Sequence, residues 1–465
     1  MKLKLSLLFL FIASILLLTF KLSIIPNGLT IDEASFGYNG VLLSKTLRDE
    51  NGRFLPMFVL SINKTDWRQP ITQYYIASMF KIFDPSIFTL RLTTVLIASV
   101  SVVLIYLIGG ISSSLLLLTT PVFFMHSHLA LDNIMTVPFI LVWLLSIYNF
   151  SKTKNIKSLI LAGISIGIGF YSYKGIRVFL PTWIILSSIY IYYLGKLKPV
   201  FVYLLSMLPF FAVIPYLELK YSGAVLNNEK LKFEGMYQFL YRYLSCFDLS
   251  FLFGQGDSML IHSTGKHGMY LIATLPLFII GVVKSWSKNS FYKFLTTLFF
   301  FGPLLFGFFG LIHRASKLIS LVPIYVILSS FGIVWLYQNS RKVFYVALLL
   351  VLVNFFSFLG YYWNLYPDAT KDQFYSIDAG QEYKYLKELS EKENLTPFVD
   401  KAKVNKEFYS GDFIRSTYFI TMPNLWGGDV NSLPKNSVLM TDNPNINGVE
   451  KTDTKYKNYL YYIKR

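Results

Sequence analysis

Residues 88–125 read FTLRLTTVLIASVSVVLIYLIGGISSSLLLLTTPVFFM and carry a single charge, Arg91. A helix that crosses a bilayer needs roughly 17–25 predominantly apolar residues, so the stretch accommodates two spans, near 88–108 and a short one near 111–125. Outward from it, hydropathy places further spans near 4–25, 134–150, 157–172, 177–194, 199–217, 269–283, 292–311, 316–338 and 343–362, about eleven in all. The 465-residue chain is 54% hydrophobic and only 15% charged, against about 25% charged in a typical soluble domain. An all-α polytopic membrane protein is the expected class. Lys2 and Lys4 followed by an apolar run resemble a secretory signal. No small-residue cleavage site follows, so an uncleaved first span is expected.

The basic residues set an orientation. Lys2 and Lys4, then Lys152, Lys154 and Lys157, Lys196 and Lys198, Lys284, Lys288 and Lys293, and Arg341 with Lys342 fall in alternate segments that contain no Asp or Glu. Basic loops face the cytoplasm, which predicts a multi-pass protein of the cytoplasmic membrane with its N-terminus inside. All 26 acids lie in the opposite segments or at outer span ends. Three outer segments are long: 26–87, 218–268 and the region from 363. The expected division is a transmembrane domain over 1–362 and an extracytoplasmic C-terminal domain over 363–465. In that domain Gly380–Asn394 reads as helix and Ser416–Met422, Ser437–Thr441 and Asn458–Ile463 read as strands, a small α/β unit. The net charge of +17 is spread over short loops between apolar runs, a pattern that points away from nucleic acid as a partner. The single cysteine, Cys246, excludes an internal disulfide.

The outer segments hold the residues capable of chemistry. Asp32-Glu33 follows directly on the first span, and two carboxylates there are costly to place against hydrocarbon. They read as a general base with a substrate-orienting neighbour. They read equally as the first turn of a helix capped by Thr30, favoured by the helix dipole, and both can hold together. The loop continues through the turn Asn51-Gly52 to Trp67-Arg68-Gln69-Pro70, where aromatic and polar residues alternate as in an interfacial amphipathic segment. Arg91 at the mouth of the second span suits an anionic group or a lipid phosphate. His128 and Asp132, four apart in His126-Ser127-His128-Leu129-Ala130-Leu131-Asp132, would share a helix face as a hydrogen-bonded pair. With His126 pointing elsewhere, the ligand count for zinc is not met. Lys174 and Arg177 in one turn, and His313 and Arg314 in another, are cations on the outer side, against the positive-inside bias. A phosphate or a lipid headgroup accounts for them. The glycine-rich loop around Asp257 is not a phosphate-binding P-loop, lacking the flanking strand and helix.

In order along the chain, DEASFGYNGVLLSKTLRDENGRFLP (32–56), FTLRL (88–92), HSHLALD (126–132), YSYKGIRVFLP (171–181), FLFGQGDSMLIHSTGKHG (251–268) and HRASKLISLVP (313–323) resemble the bacterial members of the protein O-mannosyltransferase family, glycosyltransferase family 39. The lipid A aminoarabinose transferases are more distant relatives, and the C-terminal domain matches neither. The resemblance implies a type-C glycosyltransferase of about eleven transmembrane helices. Such an enzyme moves a sugar, a hexose or pentose with mannose among the candidates, from a polyprenyl-phosphate carrier with inversion. The acceptor would be a protein, lipid or glycan on the outer face. Asp32 matches the family's catalytic aspartate, Glu33 its companion, and Arg91 the arginine at the second span. Arg91, Lys174, Arg177, His313 and Arg314 are then candidates for the carrier phosphate, with His128, Asp132 and Asp257 in support. Family members carry Arg where His128 stands, whereas Asp132 keeps the acidic position. A lipid monophosphate departs with its own charge, so no metal or other cofactor is expected. The rival classes are a polytopic transporter or flippase, for which the spans carry too little mid-depth charge, and a surface-polysaccharide polymerase or ligase.

Overall fold

A computed structural model describes residues 2–62, 64–225, 233–287, 289–309, 312–371, 373–374, 379–401, 413, 423–427, 433–444, 446, 450–451 and 460–465. Among these the chain is mostly helical. The first half holds α1 (Lys2–Leu18), α2 (Ile31–Thr46), α3 (Pro70–Ile82), α4 (Ile87–Thr119), α5 (Pro121–Ser127), α6 (Val137–Thr153), α7 (Lys157–Gly169), α8 (Leu180–Gly195), α9 (Leu197–Ala212) and α10 (Ile214–Lys220). Then come α11 (Met236–Ser245), α12 (Leu275–Ser285), α13 (Ser290–Phe301), α14 (Ala315–Leu318), α15 (Val322–Asn339), α16 (Arg341–Asn364), α17 (Tyr366–Ala369) and α18 (Ala379–Lys392). Apolar helices recur along the chain from α1 to α16. Six helical stretches, 87–119, 134–153, 197–220, 290–308, 315–339 and 341–364, are long and apolar enough to cross a bilayer, and four shorter apolar helices accompany them.

The pair of spans read from residues 88–125 is one 33-residue helix only by name. Gly110 sits at φ 71°, ψ −163°, outside helical geometry. Beyond it Ser113 Oγ donates to Ile105 O and Ser114 Oγ to Val102 O, at 3.0 and 2.9 Å. In a continuous helix residues eight and twelve apart would lie roughly 12 and 18 Å apart along the axis, so the chain must double back at Gly110. A residue with a Cβ adopts that dihedral only with strain. The second limb then breaks at Thr120-Pro121 and resumes as α5, which ends at Ser127.

Burial separates core from periphery. The most apolar part of 315–339 is 78% buried, whereas that of 197–220 is 17% and that of 341–364 is 22%. The outer two expose Phe201, Leu205, Leu208, Leu349, Val353 and Phe356. Apolar faces of that extent do not stand in water; they face lipid.

The loop after α1 builds its own substructure. A hairpin of β1 (Val59–Ser61) and β2 (Asp66–Arg68) pairs Ser61 with Asp66 and Val59 with Arg68. The segment from Pro70 forms α3, packed on α2 with Gln73, Ile76 and Phe80 buried. At the C-terminus, β3 (Thr396–Asp400), β4 (Asn424–Trp426), β5 (Ser437–Thr441), β6 (Glu450–Lys451) and β7 (Leu460–Lys464) form a sheet in the order β4-β3-β5-β7-β6. β3 is parallel to β4 and β5, and the other pairs are antiparallel. The α18 helix, β5 and β7 follow the sequence expectation closely, while Ser416–Met422 lies outside the described residues.

Candidate active site

The first turn of α2 presents Asp32 and Glu33 to different surroundings. Thr30 caps the helix: its Oγ1 accepts from Glu33 N at 3.0 Å, and Glu33 Oε2 accepts from Thr30 N at 3.0 Å. This reciprocal box satisfies two orphan amides and turns Glu33 inward. There it is fully buried, accepting from Arg91 Nε at 2.9 Å and from Ala130 N at 3.1 Å. Asp32, one residue earlier, keeps 46% of its side chain exposed. The helix-cap reading holds, and the two carboxylates of the turn face different surroundings.

Arg91 spends every donor internally. Its Nε and Nη2 reach Glu33, Nη1 donates to Leu22 O and Pro26 O at 3.1 and 3.0 Å, and Nη2 also donates to Gly28 O. The guanidinium has five N–H groups; two go to the Glu33 carboxylate and three to the irregular backbone that joins α1 to α2. Arg177 is similar. It donates to Phe170 O, to Ala224 O and Val225 O, and to Gln69 Oε1, with its guanidinium 4.6 Å from the Phe170 ring centre. These two cations tie loops together.

The group that faces Asp32 is Arg68. Its Nη2 donates to Asp32 Oδ1 at 2.7 Å, its Nε to Ser35 Oγ at 2.9 Å, and its Nη1 lies 3.2 Å from Asp66 Oδ2. The guanidinium lies 4.8 Å from the centre of the Phe36 ring. Ser35 Oγ, which accepts from Arg68, also shares a hydrogen bond with Ser61 Oγ, 2.6 Å away. Asn39, one turn further along α2, bridges Ser61 and Glu50. A polar stripe of Asp32, Ser35 and Asn39 thus runs down one side of α2, and the β1–β2 hairpin docks on it. Asp66 also takes Lys174 Nζ at 2.6 Å. Burial pushes the Asp66 carboxyl up, but Arg68 and Lys174 outweigh it and hold the group below its usual range. Arg68 and Asp66 were not singled out from the sequence. The available signal was a cation beside a carboxylate just before Pro70 on the acidic side.

Asp132 joins this cluster and His128 does not. The α5 helix ends at Ser127, so the expected common helix face does not exist. His128 turns inward, its Nδ1 3.1 Å from Tyr362 Oη, with its ring stacked on Tyr362. Asp132 is half-buried near Arg68, Asp32, Asp66 and Lys174, and its carboxylate makes no hydrogen bond or ion pair among the described residues. Burial raises its carboxyl to about 7; Arg68 opposes this, and Asp32 and Asp66 add to it.

His313 and Arg314 lie apart, in a pocket of about 570 Å³ lined also by Asp248, Phe251, Gln255 and Asp257. His313 stacks on Phe251 with Nε2 3.2 Å from Asp248. Asp257 is buried and accepts from Met259 N and Ala315 N at 2.9 and 2.8 Å, which fastens the second outer loop to the start of α14. Arg314 Nη1, 3.9 Å from Asp257, has no hydrogen-bond partner among the described residues. Next to this pocket His262 Nδ1 meets His126 Nε2 at 3.1 Å, and burial, with Arg314 nearby, pulls His262 down to about 4. Among the described residues, no group of three or more His, Cys, Asp or Glu is arranged to hold a metal ion.

Residues 68–218 match the family described as dolichyl-phosphate-mannose-protein mannosyltransferase. No curated protein matches the sequence. Two solved structures share the fold over nearly the whole of both chains. One is ArnT from Cupriavidus metallidurans bound to undecaprenyl phosphate, with a TM-score of 0.57 and 10% identity over 98% of this chain and 97% of that one. The other is the same protein in the apo state, with a TM-score of 0.58 and 10% identity over 99% and 98%. Segment and architecture agree: this multi-pass membrane protein is like the dolichyl-phosphate-mannose-protein mannosyltransferases and is built on the fold of ArnT.

Proposed function

We propose that the protein is an inverting glycosyltransferase that moves a sugar from a polyprenyl-phosphate carrier to a hydroxyl acceptor at the outer face of the cytoplasmic membrane. The observation that carries this reading is the contrast within one helical turn. Asp32 is half-exposed and oriented by Arg68, whereas Glu33 is buried on Arg91. An exposed carboxylate held by a guanidinium can take the acceptor's proton, while its buried neighbour fixes the turn that presents it. The undecaprenyl phosphate bound by ArnT supports a lipid-phosphate donor for this chain too.

Inversion requires the acceptor oxygen to enter opposite the departing phosphate. The base and the phosphate-binding cations therefore belong on opposite sides of the anomeric carbon. Arg68, bonded to Asp32, serves the base. Lys174, held on Asp66, is a second cation of this cluster, and Arg314 with His313 lines the separate pocket. Either can offset the charge on a departing lipid monophosphate. In this role Arg91 and Arg177 brace loops rather than touch the carrier. The step needs a carboxylate and cations but no redox or Lewis-acid cofactor. The acceptor hydroxyl belongs to a protein, lipid or glycan.

The test is transfer by the purified full chain in proteoliposomes, supplied with polyprenyl-phosphate sugars and followed by mass spectrometry of the products. Sugar consumption that depends on Asp32 supports the reading. Solute uptake without a covalent product would replace it with transport.

A further inference from the structure

We propose that the C-terminal domain is a working part of this centre, and that Phe413 is a positioning residue which holds the Asp32-bearing helix in place through Gly37. The activity half of the argument rests on the glycosyltransferase reading above, and the structural half stands without it.

The helix α2 lies between two kinds of surface. Its polar stripe meets the β1–β2 hairpin. Its apolar residues enter a core shared with the C-terminal domain, in which Phe36 and Phe80 pack with Phe413, Val438, Met440 and Tyr461, all buried. The contact is closest at Gly37. A Cβ there would lie 2.6 Å from the Phe413 ring, nearer than real Cβ contacts come, so the ring occupies the space that glycine leaves. The same ring stacks on Phe80 of α3, with centroids 6.1 Å apart and an interplanar angle of 17°. Phe413 therefore wedges α2 against α3.

The wedge lies one residue from the site's own support. Phe36, fully buried in the shared core, offers its ring to the Arg68 guanidinium, and Arg68 orients Asp32. The run Phe413, Gly37, Phe36, Arg68, Asp32 is one chain of direct contacts or adjacent residues. Removing the ring leaves a void the size of a phenyl group beside a helix that has no side chain at that point to fill it. A misplacement of about 1 Å at a reacting group costs about a hundredfold in rate, so even partial relaxation into the void reaches the chemistry.

The experiment uses the full chain in detergent and two measurements. Hydrogen exchange is followed over residues 31–46 in wild type, Phe413→Ala and Phe413→Leu. The amides of α2 are expected to exchange about tenfold faster in Phe413→Ala, with Phe413→Leu in between and α15 unchanged. Unchanged exchange in α2, or equal acceleration in α15, overturns the proposal. The second measurement is a double-mutant cycle on kcat. Phe413→Ala is expected to lower kcat about tenfold with donor KM unchanged, and to cost little more in an Arg68→Ala background. The same fold-loss in both backgrounds marks a merely structural role and overturns the proposal. Gly37→Ala offers a check that does not hollow the core: it is expected to lower kcat, and adding Phe413→Leu to restore it. Failure of the second change to rescue the first also counts against the wedge. If wild type transfers no sugar, the functional reading fails, and the exchange measurement alone decides this one.

Discussion

Arg68 Nη2 meets Asp32 Oδ1 at 2.7 Å, while the rest of the same guanidinium is held by Ser35, Asp66 and the Phe36 ring. Four supports on one cation fix its plane, and the plane fixes the carboxylate. A lysine would keep the charge and lose the fork. Arg68→Lys is therefore expected to lower kcat by about ten- to a hundredfold with a smaller change in acceptor KM. Steady-state transfer kinetics at matched membrane levels check this. Near-wild-type kcat would show that charge alone suffices.

The two carboxylates of the α2 turn should fail differently. Asp32→Asn removes the base and leaves the fold, so the variant is expected to reach the membrane in normal amount and to lose transfer by about three orders of magnitude or more. Arg91→Met strands Glu33 in a site with no access to water and frees three carbonyls. Breaking a buried pair from one side typically costs about 3–5 kcal/mol, so this variant is expected to lose yield and thermal stability. Fluorescence-detected size exclusion after heating separates the two outcomes.

Asp132 makes stability depend on pH in an unusual direction for an aspartate. Its folded-state value of about 7 lies above the ordinary 3.8, so between those values the native state binds more protons than the unfolded chain. Stability then falls as pH rises through that window and levels off above about 7. Asp132→Asn is expected to be more stable than wild type at pH 8 and to have lost this part of the slope. Melting temperatures of both proteins from pH 5 to 8, taken as a test range around that window, check it. A slope of the opposite sign in wild type would show that Asp132 is stabilised as the anion.

Much of this architecture was legible because its signals are local. Span positions follow from apolar length, the start of α2 from Thr30 and Glu33 three residues apart, and β5 from the run Ser437–Thr441. The site was legible only in part. Asp32 stood out as an acid at a membrane surface, but nothing local distinguishes Arg91, which serves three carbonyls, from a cation awaiting a ligand. That distinction depends on an irregular backbone some 65 residues away in sequence. Arg68 was hidden for the converse reason. Its importance comes from a hairpin of two three-residue strands, too short to announce itself by alternation, which swings Asp66 and Arg68 onto the first turn of α2. His128 and Asp132 were misjudged because a helix was assumed to run past Ser127.

The last question is which cation meets the carrier phosphate. Lys174 is 20% exposed and anchored by Asp66, whose second oxygen faces Arg68, so one carboxylate separates it from the Arg68–Asp32 pair. Arg314 lines a roomier pocket and has an unsatisfied Nη1. A cation that contacts the leaving group gains most as charge develops, so its loss falls mainly on kcat. One that only gathers the carrier acts equally on ground and transition states, and its loss falls on KM. With Lys174 at the leaving group, Lys174→Met is expected to lower kcat about a hundredfold. Arg314→Met should raise donor KM about tenfold with kcat nearly unchanged. Both variants keep an unbranched apolar stem and remove the charge together with its N–H donors, and Asp66 retains Arg68 when Lys174 is gone. Initial rates over a range of a short-chain polyprenyl-phosphate donor separate the two parameters. The reverse pattern, with kcat lost at Arg314 and KM raised at Lys174, would move the phosphate to the pocket beside Asp257 and place the anomeric carbon between that pocket and Asp32.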